Sequence, residues 1–263
     1  MNGAVDRAVL ELGRQLLAWR QAGETDWRRE GTQYKAEADS RAHEFLADAL
    51  RSIEPGTPVI SEEDPESLIL SRPSRYWLID PIDGTASFVG GYSGFVTQLA
   101  VMDEGGPVEG WVYAPATDEL FVAGRGRGAT LNGRALRTVP GALSGALVDN
   151  YPEPRGVARE AKMALGLRHY VESGSLGLKI CRVADGTADV FVKDVTVADW
   201  DLAAGHLVLS ESGGCLTDVL GGEIPYVGSY QRNGIAAAAI GELHEQLIAW
   251  YASSSPLKQG ENQ

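Results

Sequence analysis

The run Tyr76-Trp77-Leu78-Ile79 is apolar and rich in β-formers, and it ends on Asp80-Pro81-Ile82-Asp83-Gly84-Thr85. Pro81 fixes φ and removes a donor, so the turn is stiff. Asp80 and Asp83, three residues apart on that turn, can point the same way. Gly84 permits close backbone approach, and the N–H groups of Gly84 and Thr85 would open a helix, a ready anion site. Carboxylates held side by side repel each other and stay ionised together only with cations between them. Two further acidic clusters sit at element ends: Glu62-Glu63-Asp64 after Val59-Ile60, and Trp200-Asp201 at the start of an apolar helix. A lone acid at a strand end is usually solvated; here a tight turn constrains the central pair. Oxygen-rich sites with partial protein ligation suit Mg²⁺, and two such ions can clamp an in-line phosphoryl displacement.

The rest of the chain supplies a scaffold of mixed helices and strands. Val5, Val9, Leu12 and Leu16 mark one helical face, and Ala42, Phe45, Leu46, Ala49, Leu50 and Ile53 mark another, capped by Asp39 or Ser40 and stopped at Pro55-Gly56. The polar, Gly-containing stretch from Gly23 to Gln33 reads as a loop. Runs at Thr97–Met102, Val108–Tyr113 and Glu119–Ala123, separated by Gly or Pro turns, predict an antiparallel meander. Gly124-Arg125-Gly126-Arg127-Gly128 precedes another short strand, not a helix, so it reads as a hairpin and not a phosphate cradle. In the second half the pattern alternates. Ala146–Asp149, Asp189–Val192 and Ile235–Ile240 are strands, and helices cover 156–165, Leu176 to Val183, 200–212 and Leu243 to Trp250. The tail from Ser253 reads as polar and frayed.

With 36 acidic and 23 basic residues in 263, the net charge is −13, which disfavours nucleic acid or an anionic membrane as a partner. Metal ions can still reverse the field locally for an anionic substrate. Cys181 and Cys215 form neither a disulfide framework nor a zinc site. No signal peptide or membrane-length apolar run is present, so the expectation is a soluble, cytoplasmic protein.

Ser61-Glu62-Glu63, the run Trp77 to Thr85, and Trp200-Asp201-Leu202-Ala203-Ala204-Gly205 resemble the three signatures of the inositol monophosphatase superfamily, in order and separation. That superfamily includes inositol monophosphatases, bisphosphate nucleotidases and fructose-1,6-bisphosphatases. The resemblance runs from about Val5 to Ile248. It implies an α+β fold, a layered α-β-α-β-α sandwich. The expected organisation is one phosphatase domain of two lobes, about 1–140 and about 141–263. It implies a homodimer, Li⁺ sensitivity and two or three Mg²⁺. By position, Glu62, Asp80 and the Ile82 carbonyl would hold the first ion, and Asp80, Asp83 and Asp201 a second. Thr85 would orient the attacking water with Asp39 behind it as acceptor, and the Gly84 and Thr85 N–H groups would hold the phosphate.

The sequence departs from the family at Ala36, where a Thr is common, and at Ala86-Ser87, where many inositol monophosphatases have Asn. Asp194, seven residues before Asp201, suits a polyol hydroxyl, whereas Lys179 in Gly174-Ser175-Leu176-Gly177-Leu178-Lys179 could meet an extra phosphate. The balance leans to a phosphorylated polyol or sugar as substrate, with a 3′(2′),5′-bisphosphate nucleotidase as the alternative. A non-catalytic protein-binding role in transcription is a weaker alternative. His43, His169, His206 and His244 show no metal-ligand spacing, Ser210 to Gly214 is a helix end, and Trp200 is expected to pack beside the metal loop and fix Asp201.

Overall fold

Alternation along the strands decides which layer each side chain enters. The computed structural model describes residues 2–24, 27–30, 33–69, 71–138, 143–150 and 152–254, with backbone only for 27–30 and 33–36. The first elements are α1 (Gly3–Gln21), the hairpin β1 (Trp27–Glu30) and β2 (Gln33–Ala36), α2 (Glu37–Ile53), β3 (Val59–Ser61) and α3 (Pro65–Ile69). Then come β4 (Arg75–Asp83), α4 (Thr85–Val89), β5 (Val96–Asp103), β6 (Gly106–Ala114), β7 (Glu119–Gly124), β8 (Gly128–Leu131) and β9 (Arg134–Leu136). The second half contains β10 (Ala146–Asp149), α5 (Gly156–Ala164), β11 (His169–Glu172), α6 (Leu176–Ala184) and β12 (Val190–Ala198). It closes with α7 (Asp199–Ser212), β13 (Cys215–Thr217), β14 (Gln231–Ala238) and α8 (Gly241–Ser254).

A seven-stranded sheet has the order β3-β4-β5-β6-β7-β8-β9, and a five-stranded sheet the order β11-β10-β12-β14-β13. Along β4, Tyr76 and Leu78 enter the core between the sheets, while Trp77 and Ile79 enter the core beneath α1 and α2. Along β10, Ala146 and Val148 join the central core and Leu147 faces α5 and α8. Helices α6 and α7 lie between the two sheets, so the layers run α-β-α-β-α, as expected. The meander predicted after Ile79 is present from β4 to β9, all antiparallel, and only β3 joins that sheet in parallel.

Several boundaries differ from the sequence reading. The stretch read as a loop from Gly23 contains the β1–β2 hairpin, whose residues pair from Trp27↔Ala36 to Glu30↔Gln33. Helix α2 starts at Glu37, so Asp39 lies within its first turn and is not the cap. Strand β4 continues through Pro81 because that strand shifts register against β5 between Asp80 and Asp83, where a missing donor costs no ladder bond. The tail expected to fray lies outside the described residues beyond Ser254. Among the described residues no helix is long and apolar enough to cross a membrane.

Candidate metal and phosphate site

Element ends deliver the acidic side chains. Glu62 follows β3, Asp80 lies near the end of β4, and Asp201 is the third residue of α7. One carboxylate oxygen from each of these three lies within 4.8 Å of the other two. Asp80 is buried, and Glu62 and Asp201 are half-buried. Backbone donors aim them: Asp80 Oδ1 accepts from the Ile82 N–H at 3.1 Å, and Asp201 Oδ2 accepts from the Ala198 N–H at 2.9 Å. The latter is the reach of a third-position acid back to the residue before its helix. Burial raises the Asp80 pKa well above the usual carboxylate range, and Glu62, Asp83, Asp201 and Asp39 add to that rise. Burial does the same to Asp201, with Asp83 and Glu62 adding. Three mutually repelling hard-oxygen donors in one spot fit a hard divalent cation such as Mg²⁺.

Asp83 is placed differently. Its Oδ2 accepts from Ser175 Oγ at 2.7 Å, the Gly177 N–H at 2.8 Å and Gln98 Nε2 at 3.0 Å, and its Oδ1 accepts from the Leu176 N–H at 3.2 Å. It therefore receives the free N–H groups of α6 and ties that helix to the seven-stranded sheet. Burial raises its pKa, opposed by the Gly177, Ser175 and Leu176 donors and by Lys179. It stays close enough to add to the field on Asp80 and Asp201. A side chain at position 177 would reach within 2.1 Å of Gln98 Oε1, so this approach needs glycine there.

Thr85 Oγ1 lies 3.2 Å from Asp39 Oδ1 and 3.2 Å from the Ile82 carbonyl, so one hydroxyl proton can serve either acceptor. Gly84 precedes α4 with φ +88°, a left-handed conformation, and an added Cβ would sit 3.1 Å from the Gly94 carbonyl. The Ser87 and Phe88 N–H groups donate to the Gly84 carbonyl at 2.8 and 3.0 Å, so the N–H groups of Thr85 and Ala86 are the ones that precede the helix's own ladder.

The two candidate substrate contacts diverge. Asp194 is exposed at an irregularity of β12 between Lys193 and Thr196. Lys179 is buried; its ammonium donates to Asn150 Oδ1 and, at 3.2 Å, to the Gly174 carbonyl. Burial, with Lys193 next, lowers its pKa to about 8, and Asp83, Asp149 and Asp201 oppose the fall. Lys193 Nζ lies 2.6 Å from Asp149 Oδ1. Sequence reading missed Asp149, Asn150 and Lys193; the one available signal was a carboxylate ending the buried run 146–149.

No histidine joins the acidic trio among the described residues. His43 Nδ1 lies 2.9 Å from Ser61 Oγ, His206 pairs with Tyr226 and His244 with Thr217. Trp200 stacks on Tyr230 at 6.1 Å and shares a cavity wall with Leu68 of α3, the helix that follows Glu62.

A family model described as the inositol monophosphatase family matches residues 5–255. The 3′(2′),5′-bisphosphate nucleotidase CysQ of Shigella flexneri is 34% identical over 192 residues, 72% of this chain and 78% of that protein. The inositol-1-monophosphatase of Rhizobium meliloti is 36% identical over 200 residues, 73% of this chain and 74% of that protein. The crystal structure of the extragenic suppressor protein suhB from Bartonella henselae superposes with a TM-score of 0.81 at 25% identity, covering 96% of this chain and 98% of that one.

Proposed function

The chain belongs to the inositol monophosphatase family, whose members are metal-dependent phosphatases, and we propose that it hydrolyses a small phosphate monoester with water activated by Mg²⁺. The convergence of Glu62, Asp80 and Asp201 within 4.8 Å carries this reading. These residues, with the Ile82 carbonyl, would hold the cation. Asp83 would contribute to a second position through Oδ1, which accepts one described hydrogen bond where Oδ2 accepts three. Bound Mg²⁺ supplies Lewis acidity and lowers the pKa of a coordinated water. Thr85 Oγ1 orients the attacking water and passes a proton toward Asp39. Glu62 would serve as a further acceptor for that water, and the Gly84 and Thr85 N–H groups would steady the phosphate oxygens.

Two substrate readings have separate support. A phosphorylated polyol or sugar suits Asp194, an exposed carboxylate able to accept hydroxyl hydrogen bonds. A bisphosphorylated nucleotide suits the buried cation Lys179 beside Asp83 and the similarity to the Shigella nucleotidase. Phosphate release across inositol, sugar, nucleotide and amino-alcohol phosphates, with Mg²⁺ and with EDTA, tests the proposal. Release that vanishes with EDTA is expected, and turnover undiminished by EDTA rejects it.

A further inference from the structure

Glu62 is the member of the acidic trio that hangs from a turn; Asp80 belongs to a strand and Asp201 to a helix. A turn residue keeps its place only if its backbone is tied down. The strand before it gives little support. β3 is three residues long and lies at the edge of its sheet, paired only with β4. Its last pair, Ser61↔Ile79, brings Glu62 level with Asp80 but does not fix which way Glu62 turns.

Ser61 supplies what the pairing lacks. Its carbonyl accepts from the Asp64 N–H at 3.2 Å, and its Oγ accepts from the Glu63 N–H at 3.2 Å, the link a serine makes to the residue two ahead in a hydroxyl turn. Its own N–H donates to Ser67 Oγ at 3.2 Å, and Ser67 Oγ donates to the Asp64 carbonyl at 2.7 Å. Glu62 is thus enclosed by bonds that converge on Ser61, which is fully buried. One partner of the Ser61 hydroxyl comes from outside this turn: His43 Nδ1, on α2, lies 2.9 Å from Oγ. Either imidazole tautomer makes the link, as acceptor or as donor.

His43 also stands one helical turn after Asp39, and residues four apart share a face of α2. Asp39 accepts from Thr85, just past the end of β4, while His43 meets Ser61 at the end of β3. One helix therefore braces both strand ends that carry the site.

We propose that His43 is a positioning residue for the cation site: through Ser61 it holds the turn that directs Glu62 toward Asp80 and Asp201, and it touches neither ion nor substrate. The proposal rests on the metal-dependent phosphatase reading and assigns part of that site's order to a side chain outside the trio.

Calorimetric titration of the metal-free full chain with Mg²⁺ alone tests it. The proteins are wild type, His43→Leu, His43→Asn, Ser61→Ala and the double variant His43→Leu/Ser61→Ala, each checked for folding by thermal unfolding in EDTA. Leucine keeps the bulk and removes the bond, whereas asparagine returns a polar atom near the place of Nδ1. His43→Leu is expected to raise the Mg²⁺ Kd about five- to tenfold, the size of one net hydrogen bond, and His43→Asn to stay within about twofold of wild type. Ser61→Ala should bind at least as weakly as His43→Leu, and the double variant no more weakly than Ser61→Ala, since both act through one link.

A Kd unmoved in His43→Leu overturns the role, even where the melting temperature in EDTA falls. So do equal losses in His43→Leu and His43→Asn, or a double variant whose losses multiply. If His43→Leu does not fold, Ser61→Ala decides: a Kd raised about fivefold or more supports the link, and an unchanged one overturns it. Wild type that takes up no Mg²⁺ rejects the phosphatase reading and this role together, whereas uptake by wild type with equal Kd in the variants rejects this role alone.

Discussion

Asp199 and Asp201 stand in the same first turn of α7 and lead opposite lives. Asp199 is fully buried between Arg72 and Arg232; Arg232 Nε donates to its Oδ1 at 2.8 Å and Nη2 to its Oδ2 at 2.9 Å. Arg72 is in turn stacked over the Tyr230 ring at 3.9 Å. Burial is the main influence on both carboxyls and raises both pKa values. At Asp199 the neighbouring guanidiniums oppose the rise, whereas at Asp201 the neighbouring carboxylates of Asp83 and Glu62 increase it. A buried carboxylate whose countercharge is built into the chain is a joint. One whose nearest charges share its sign is suited to a cation.

The contrast breaks most visibly at Asp201. Asp201→Asn is expected to lower kcat about a thousandfold or more, as loss of several kcal/mol of metal-borne transition-state stabilisation requires. Its metal-free melting temperature should stay level or rise, because one of three repelling charges is gone. Phosphate release and thermal unfolding in EDTA read the two effects, and a large loss of melting temperature with activity retained would erase the distinction.

Asp199→Asn should do the reverse. It leaves two guanidiniums in the interior with half their partner, at a cost of about 3–5 kcal/mol in urea unfolding. Activity per folded molecule should remain near wild type. A turnover loss as deep as that of Asp201→Asn in fully folded protein would place Asp199 in the chemistry.

Cation binding sharpens the same comparison at a smaller scale. In metal-free protein the Asp80 and Asp201 pKa values lie above their unfolded values, near 3.8. Protonated, these groups favour the fold; that contribution is complete below about pH 4 and is lost as pH rises through the folded pKa. Melting temperature in EDTA should therefore decline as pH climbs through that window. Mg²⁺ at a hundred times its Kd should restore about 2.7 kcal/mol at neutral pH, and nothing in Asp201→Asn. A pH-independent EDTA curve with no Mg²⁺ response would show that the trio binds no cation.

Much of this was readable before any coordinates. The 3.6-residue spacing of Val5, Val9, Leu12 and Leu16 matches a buried face of α1 because a two-sided partition of one helix is local. The β1–β2 hairpin was not legible, since Trp27-Arg28-Arg29-Glu30 carries no clear alternation. The short strands β11 and β13 are defined by their partners β10 and β14, not by their own composition. The pairings of Asp199 with Arg72 and of Lys193 with Asp149 span 127 and 44 residues and leave no mark on either segment alone.

Asp83 belongs to neither extreme, and it tests whether the division is complete. Its countercharge is neither an arginine nor a cation alone but the opening turn of α6 together with the Gln98 amide of β5, with three donors on Oδ2 and one on Oδ1. Ser175 serves two partners there: Oγ donates to Asp83 Oδ2 at 2.7 Å and accepts from the Leu178 N–H at 2.9 Å. Ser175→Ala removes both links and should cost about 1–2 kcal/mol in unfolding free energy, the sum of a cap and one hydrogen bond to a carboxylate. If Asp83 is only a joint between β4 and α6, kcat and the Mg²⁺ concentration for half-maximal rate will not move. If its Oδ1 also serves a cation, freeing Oδ2 lets the carboxylate rotate. The Mg²⁺ requirement then shifts severalfold at unchanged protein stability per bound ion, which a titration of rate against Mg²⁺ in the folded variant measures directly.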